Sequence, residues 1–330
     1  MEIKASKILR RSIYIFLQNY EHLTTTGAFI AFPFSFAILL SQIIILSSSP
    51  TLFPTIYDRL GTLFRAAGVP PTSEFFNLLS FKLSQTISQS IFTLPFTLTF
   101  LLLAKSYVII SLNQQKPASL FSVFGSLFHT TLWNSALTLS ANATAFSIIF
   151  LSFNFLDGLG LSTPISLLLL SAFGAILYSI ILANTFIVSN LALVLSGMEQ
   201  SGGYLCILRS CVMIRGRTSA ALSLAIPLNF GLAGLEALFQ FRIVRRYYTG
   251  DRQDHVNFCP FMALEGMLIA YLYSMLIVLD TVVSCNFYKS CKKNSSSSGL
   301  DQGEEFVFRI EIGDETLVNS GYVSLKVDDH

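Results

Sequence analysis

The chain has 330 residues, 52% of them hydrophobic and only 12% charged, with a mean hydropathy of +0.62. A soluble globular domain carries about 25% charged residues, and a soluble surface this poor in charge would expose apolar patches and aggregate, a problem that lipid removes. The formal net charge of +2, with basic residues scattered between apolar runs, does not fit a nucleic-acid partner.

Residues 1–22 read as an amphipathic interfacial helix. At about 100° per residue, Ala5, Leu9, Ile13, Phe16 and Tyr20 share one face and Lys4, Lys7, Arg11 and Gln18 the other. Residues 23–288 follow as a transmembrane bundle. The first span, 27–46 (Gly27 to Leu46), holds about 20 uncharged residues against roughly 7–15 in the core of a secretory signal. It reads as a retained span. A second amphipathic stretch, Thr55 to Gly68, lies beyond it.

Span two is 83–112, broken only by Lys105. The stretch Ala118 to Thr130 sets Leu120, Phe121, Phe124, Leu127 and Phe128 against Ser119, Ser122, Ser126 and His129, which predicts another interfacial helix. Span three, 131–156, mixes Asn134, Ser135, Thr138, Ser140, Asn142, Thr144 and Ser147 with alanines. Small and hydroxylated residues let helices approach closely, so this span is expected at the centre of the bundle. Span four, 164–196, would be about 48 Å long and must tilt or project. Tyr204 to Arg217 carries a stripe of Tyr204, Ile207, Cys211 and Ile214 before span five, 218–240. The sixth, 260–287, has only about 14 uncharged residues between Glu265 and Asp280, which leaves five spans as the alternative count.

Three of the amphipathic stretches precede odd-numbered spans. The expected fold is therefore an all-α integral membrane protein of about six transmembrane helices, arranged as three hairpins, each preceded by an interfacial helix. Lys and Arg set the orientation. Lys4, Lys7, Arg10, Arg11, Lys105, Lys116, Arg209, Arg215, Arg217, Lys289, Lys292 and Lys293 fall on the side of the termini. Arg59, Arg65, Lys82, Arg242, Arg245, Arg246 and Arg252 fall on the other. The excess places both termini in the cytosol, with the cluster Arg242, Arg245 and Arg246 as the counter-signal. Residues 289–330, serine-rich and then acidic, read as a flexible cytosolic tail, a candidate site for a cytosolic partner.

Ionisable residues inside spans are expensive, at about 2.5–3.5 kcal/mol each, and so carry the functional readings. Lys105 and Asp280 match in depth and are expected to pair, unless Lys105 snorkels to the headgroups. Glu236 and Glu265 sit inside the outer ends of spans five and six, where the nearby arginines predict an interfacial salt-bridge cluster, with an ion or proton site as the alternative. Cys285 and Cys291 flank the membrane exit beside three lysines, a setting for S-palmitoylation or for inert buried thiols. Tyr322-Val-Ser-Leu325 fits a tyrosine-based sorting pattern. The five cysteines match no zinc, redox or haem spacing, and Asp251, Asp254, His255 and Cys259 read better as a solvated loop than as a metal site. No HExxH, GxSxG, Walker or Rossmann pattern occurs, so no catalytic, cofactor-binding or metal residue is expected.

The run Leu264-Glu-Gly-Met-Leu-Ile-Ala-Tyr-Leu-Tyr-Ser, with Val278-Leu-Asp-Thr-Val-Val-Ser-Cys and Tyr288-Lys-Ser-Cys-Lys, resembles the last span of a plant family of multi-pass membrane proteins. Ile8-Leu-Arg-Arg-Ser-Ile-Tyr-Ile-Phe resembles that family's start. The alternation of interfacial helix and hairpin is similar to membrane domains fused to some bacterial glycerophosphodiester phosphodiesterases. The resemblance implies a fold and no catalytic residues. The expected function is non-enzymatic membrane organisation or trafficking in the endomembrane system or plasma membrane. The alternative is a small-solute or lipid transporter that uses the intramembrane charges.

Overall fold

The computed structural model describes residues 5–47, 52–66, 74–113, 119–160, 163–245 and 260–297. Among these, all regular structure is helical. We number the helices α1 (Ala5–Gln18), α2 (Phe29–Ser47), α3 (Leu52–Ala66), α4 (Glu74–Phe96), α5 (Leu102–Leu112), α6 (Leu120–Gly158), α7 (Pro164–Glu199), α8 (Tyr204–Ile214), α9 (Thr218–Phe239) and α10 (Pro260–Ser297). Three wide π-turns, Leu23–Ala28, Thr97–Leu101 and Gln240–Val244, lead into α2, join α4 to α5 and extend α9. The second follows Pro95, whose missing N–H interrupts the regular ladder. The chain forms two compact units, 1–288 and 289–330, and the bundle described below is the first of them.

Five helical stretches are long and apolar enough to cross a membrane: Leu79–Leu112, Leu120–Leu156, Leu168–Glu199, Thr218–Val244 and Phe261–Lys293. The predicted first span is a shorter apolar helix, Phe29–Ile44. Its packing nevertheless follows α10 from end to end. Leu23 and Ala28 cluster with Val278 and Val282, Phe34 with Tyr273 and Ile277, and Leu39 with Ile269 and Ala270. Rising numbers on one helix meet falling numbers on the other, so the two run antiparallel. Lipid tails are as apolar as these side chains, so close van der Waals packing, rather than release of water, holds such contacts together.

Three expectations require correction. The stretch Ala118 to Thr130 is no separate interfacial helix: α6 runs unbroken for 39 residues, about 58 Å, and projects well beyond about 30 Å of hydrocarbon. No proline interrupts it to force a bend. The three-hairpin pattern with a distinct interfacial helix before each pair therefore does not hold for the second unit. Span three is also not central. Only 6% of its most apolar stretch is buried, against 56% for α10. On α8 the buried stripe is Cys206, Ile207, Ser210 and Ile214, turned from the expected one so that Tyr204 and Cys211 face outward. The predicted tail boundary at residue 289 is where the chain divides into two compact units, although α10 itself continues as helix to Ser297.

The helix α1 is amphipathic as expected but is docked, not merely afloat in the interface. Ile8, Ser12 and Phe16 are buried, and Asn286 of α10 donates its amide to Ser12 Oγ at 2.9 Å. Ile13 and Leu17 are left exposed on the adjoining face. At the same end of the bundle α7 approaches its neighbours closely. A Cβ on Gly197 would lie 2.8 Å from Ile109 Cδ1 and 2.9 Å from Leu127 Cδ1. One on Gly202 would lie 3.1 Å from the Ser126 carbonyl oxygen, so the turn into α8 rests directly on the α6 backbone.

Candidate functional site

The charged residues of the bundle collect in two layers, one near each end of the apolar middle. Along α10, Glu265 and Asp280 are separated by 15 steps of about 1.5 Å, or about 22 Å, against about 30 Å of hydrocarbon. The two layers are therefore somewhat closer together than the two faces of the hydrocarbon.

In the outer layer, the π-turn after α9 brings Arg242 Nε to 3.0 Å from Glu265 Oε1. The second carboxylate oxygen, Glu265 Oε2, is buried with no hydrogen-bond partner. Among the described residues no ion pair joins Glu236 to an arginine. Tyr273 of α10 donates its hydroxyl to Glu236 Oε1 at 2.9 Å. Arg245 lies over the Phe241 ring, 5.6 Å from its centroid. Arg246 and the loop carrying Asp251, Asp254, His255 and Cys259 lie outside the described residues.

In the inner layer Lys105 of α5 and Asp280 of α10 are both half-buried, and each is the principal opposite charge acting on the other. No direct ion pair joins them among the described residues. Asp280 borders a cavity of about 40 Å³ between α7, α9 and α10, shared with Asn190 and Ser284 and otherwise walled by apolar side chains. Room on this scale suits one or two waters. The direct pair expected from matched depth is not formed among the described residues, and the cavity left no signal in the sequence.

Beyond this layer is a network that charge counting along the chain did not reveal. Glu199, at the end of α7, accepts from Arg209 Nη1 of α8 at 2.5 Å and from the Tyr288 hydroxyl of α10 at 2.7 Å. It ties three helices together around the Gly202–Gly203 turn. The only local signal is an acid and a base on either side of a double glycine. Beside it Cys206 Sγ donates to the Ser201 carbonyl at 2.9 Å, and burial pushes this thiol above its ordinary pKa. Cys285 and Cys291 are both buried. Tyr322 and Leu325 lie outside the described residues. No group of three or more potential metal ligands occurs among the described residues.

The arrangement can neutralise, position and fasten. Each intramembrane carboxylate faces a cation or a donor on a neighbouring helix, the setting in which removing one partner strands the other. No curated protein and no solved structure shows significant similarity to the chain. One family model does match, a domain of unknown function, DUF8558, over residues 2–301, and the chain belongs to that family.

Proposed function

We propose that this is a six-span membrane protein of the endomembrane system or plasma membrane, with both termini cytosolic, that acts without catalysis in membrane organisation or trafficking. The observation that carries the reading is the engagement of the intramembrane acids. Glu265 is held by Arg242 and Glu236 by Tyr273, while Asp280 lies under the charge of Lys105 with no direct ion pair among the described residues. Carboxylates fastened in this way join helices, whereas an ion pathway needs some of them open to a continuous polar passage. The sixth crossing is supported by the antiparallel course of Leu23–Leu39 along α10. The sorting pattern at Tyr322 and Leu325 supports a cytosolic partner for the C-terminal segment.

Flux through the purified protein in sealed vesicles tests this. Proton and potassium leak, read with entrapped dyes, is expected to match protein-free vesicles and to stay unchanged in the double variant Glu236→Gln, Glu265→Gln. Leak that depends on those two carboxylates would overturn the reading.

A second reading, transport, has one observation in its favour: Asp280 borders a cavity. Asp280→Asn separates the two. Abolition of a measured flux at unchanged thermal stability supports transport, and reduced stability without any flux supports the fastening role.

A further inference from the structure

The helix α1 divides around its axis into three sectors. Ile8, Ser12 and Phe16 are buried against the bundle. Ile13 and Leu17 are exposed on the sector beside Phe16. Lys7, Arg10 and Arg11 fill the rest, within an arc of about 100°, and all three are exposed. Positions three and four apart are neighbours on a helix, so the three cations share one turn. Among the described residues no ion pair engages any of them.

Contacts with α10 order these sectors in depth. Ser12 meets Asn286 and Phe16 packs with Val282, so α1 runs antiparallel to this part of α10. Asn286 is six steps of about 1.5 Å from Asp280, which puts Ser12 about 9 Å beyond the inner charged layer. Arg11, Arg10 and Lys7 follow further out, while Ile13 and Leu17 lie nearer the middle of the bundle. An apolar groove of about 350 Å³, lined by Gly231, Leu272 and Met275, opens beside Phe16. The Phe16 edge of α1 therefore adjoins hydrocarbon, and the cations point away from it.

We propose that Lys7, Arg10 and Arg11 bind the headgroup phosphate of an anionic glycerophospholipid, whose acyl chains pass over Ile13 and Leu17. The helix presents the two parts in the order the lipid has them, charge toward the surface and apolar contact beneath it. A water-borne acidic partner would match the cations and leave the exposed apolar pair unused. A basic residue near the membrane surface favours an anionic lipid by about fivefold, so three on one turn discriminate strongly against a zwitterionic one. The site rests on the membrane reading given above but not on the absence of transport.

The full chain, purified in detergent and exchanged with an equimolar mixture of phosphatidylglycerol and phosphatidylcholine, tests the assignment by native mass spectrometry. The wild type is expected to retain phosphatidylglycerol preferentially. The triple variant Lys7→Gln, Arg10→Gln, Arg11→Gln is expected to lower that preference by about fivefold or more at unchanged monodispersity. All three side chains are exposed, so the variant leaves the packing of α1 intact. Raising salt from about 0.1 to about 1 M, which shortens the screening length from about 10 to about 3 Å, should bring the wild type toward the variant. An equal preference in wild type and variant overturns the proposal. Loss of the wild-type preference on adding millimolar inorganic phosphate marks a site for a free anion and also overturns it. A chain that stays monodisperse without detergent would instead overturn the underlying membrane reading.

Discussion

The helices α6 and α10 have similar lengths, 39 and 38 residues, yet they are opposite in use. The last helix is the axis of the bundle. Ala270, Val278 and Val282 are at most 1% exposed and touch α2, α5 and the chain before α2. By contrast α6 is peripheral: Leu139, Leu151 and Phe155 are exposed, and its side-chain hydrogen bonds to other helices go chiefly to α7. Composition suggested a central place for α6, since it is rich in hydroxyls. The difference teaches that polarity within a span does not locate it. What matters is where each polar group finds its partner.

The hydroxyls of α6 find theirs on their own helix. Ser135 donates to the Thr131 carbonyl, Thr138 to Asn134, Ser140 to Leu137 and Thr144 to Ala141, all at 2.9 Å. Satisfied in this way, they tolerate lipid and need no neighbouring helix. Glu265 of α10 cannot be satisfied by its own helix and draws in Arg242, while Asp280 lies under the charge of Lys105 without a direct ion pair among the described residues.

This contrast is open to attack by substitution. The largest effect is expected for Lys105→Met, which strands Asp280 and should cost on the order of 3 kcal/mol, with partial recovery on adding Asp280→Leu. Thermal loss of the monodisperse species in detergent reads both steps, and additive losses would break the pairing. Next, Ala270→Leu overpacks the contact with Leu39 and Phe239 and should cost about 1–3 kcal/mol by the same measurement. Tyr273→Phe removes the donor to Glu236 and should cost about 1–2 kcal/mol. Ser140→Ala and Thr144→Val on α6 should lie within about 0.5 kcal/mol of wild type. A loss on α6 equal to that at Ala270 would erase the distinction between the two helices.

Alkylation offers a pH-dependent check at the inner end. Burial raises the thiol pKa of Cys206 and of Cys211, so the reactive thiolate of each is scarce at neutral pH and grows as pH rises toward the raised value. Cys211 is exposed and Cys206 is not, so mass spectrometry after maleimide treatment should find Cys211 modified first at every pH.

Much of the fold was legible because the signals are local. Five of the six apolar runs recur as helices long enough to cross, and α1 is an amphipathic helix, although of its expected apolar stripe only Phe16 is buried. The remainder depended on tertiary choices. Nothing in the run from Leu120 to Leu156 marks where an interfacial segment would end and a span begin, because each turn continues the ladder of the previous one. The link of Arg209 and Tyr288 to Glu199 needed knowledge of which helix ends meet. The pairing of Asn286 with Ser12 spans nearly the whole chain and leaves no trace in any window of sequence.

The most direct test of the account asks on which side of the membrane each end of the bundle lies. Epitopes at the N-terminus, at the C-terminus and between residues 67 and 73 can be placed in the full chain, and sealed microsomes treated with protease from the cytosolic face. Six antiparallel crossings predict that both terminal epitopes are digested while the internal one is protected. An N-terminal epitope protected while the C-terminal one is lost would leave α2 on one side of the bilayer and contradict the account.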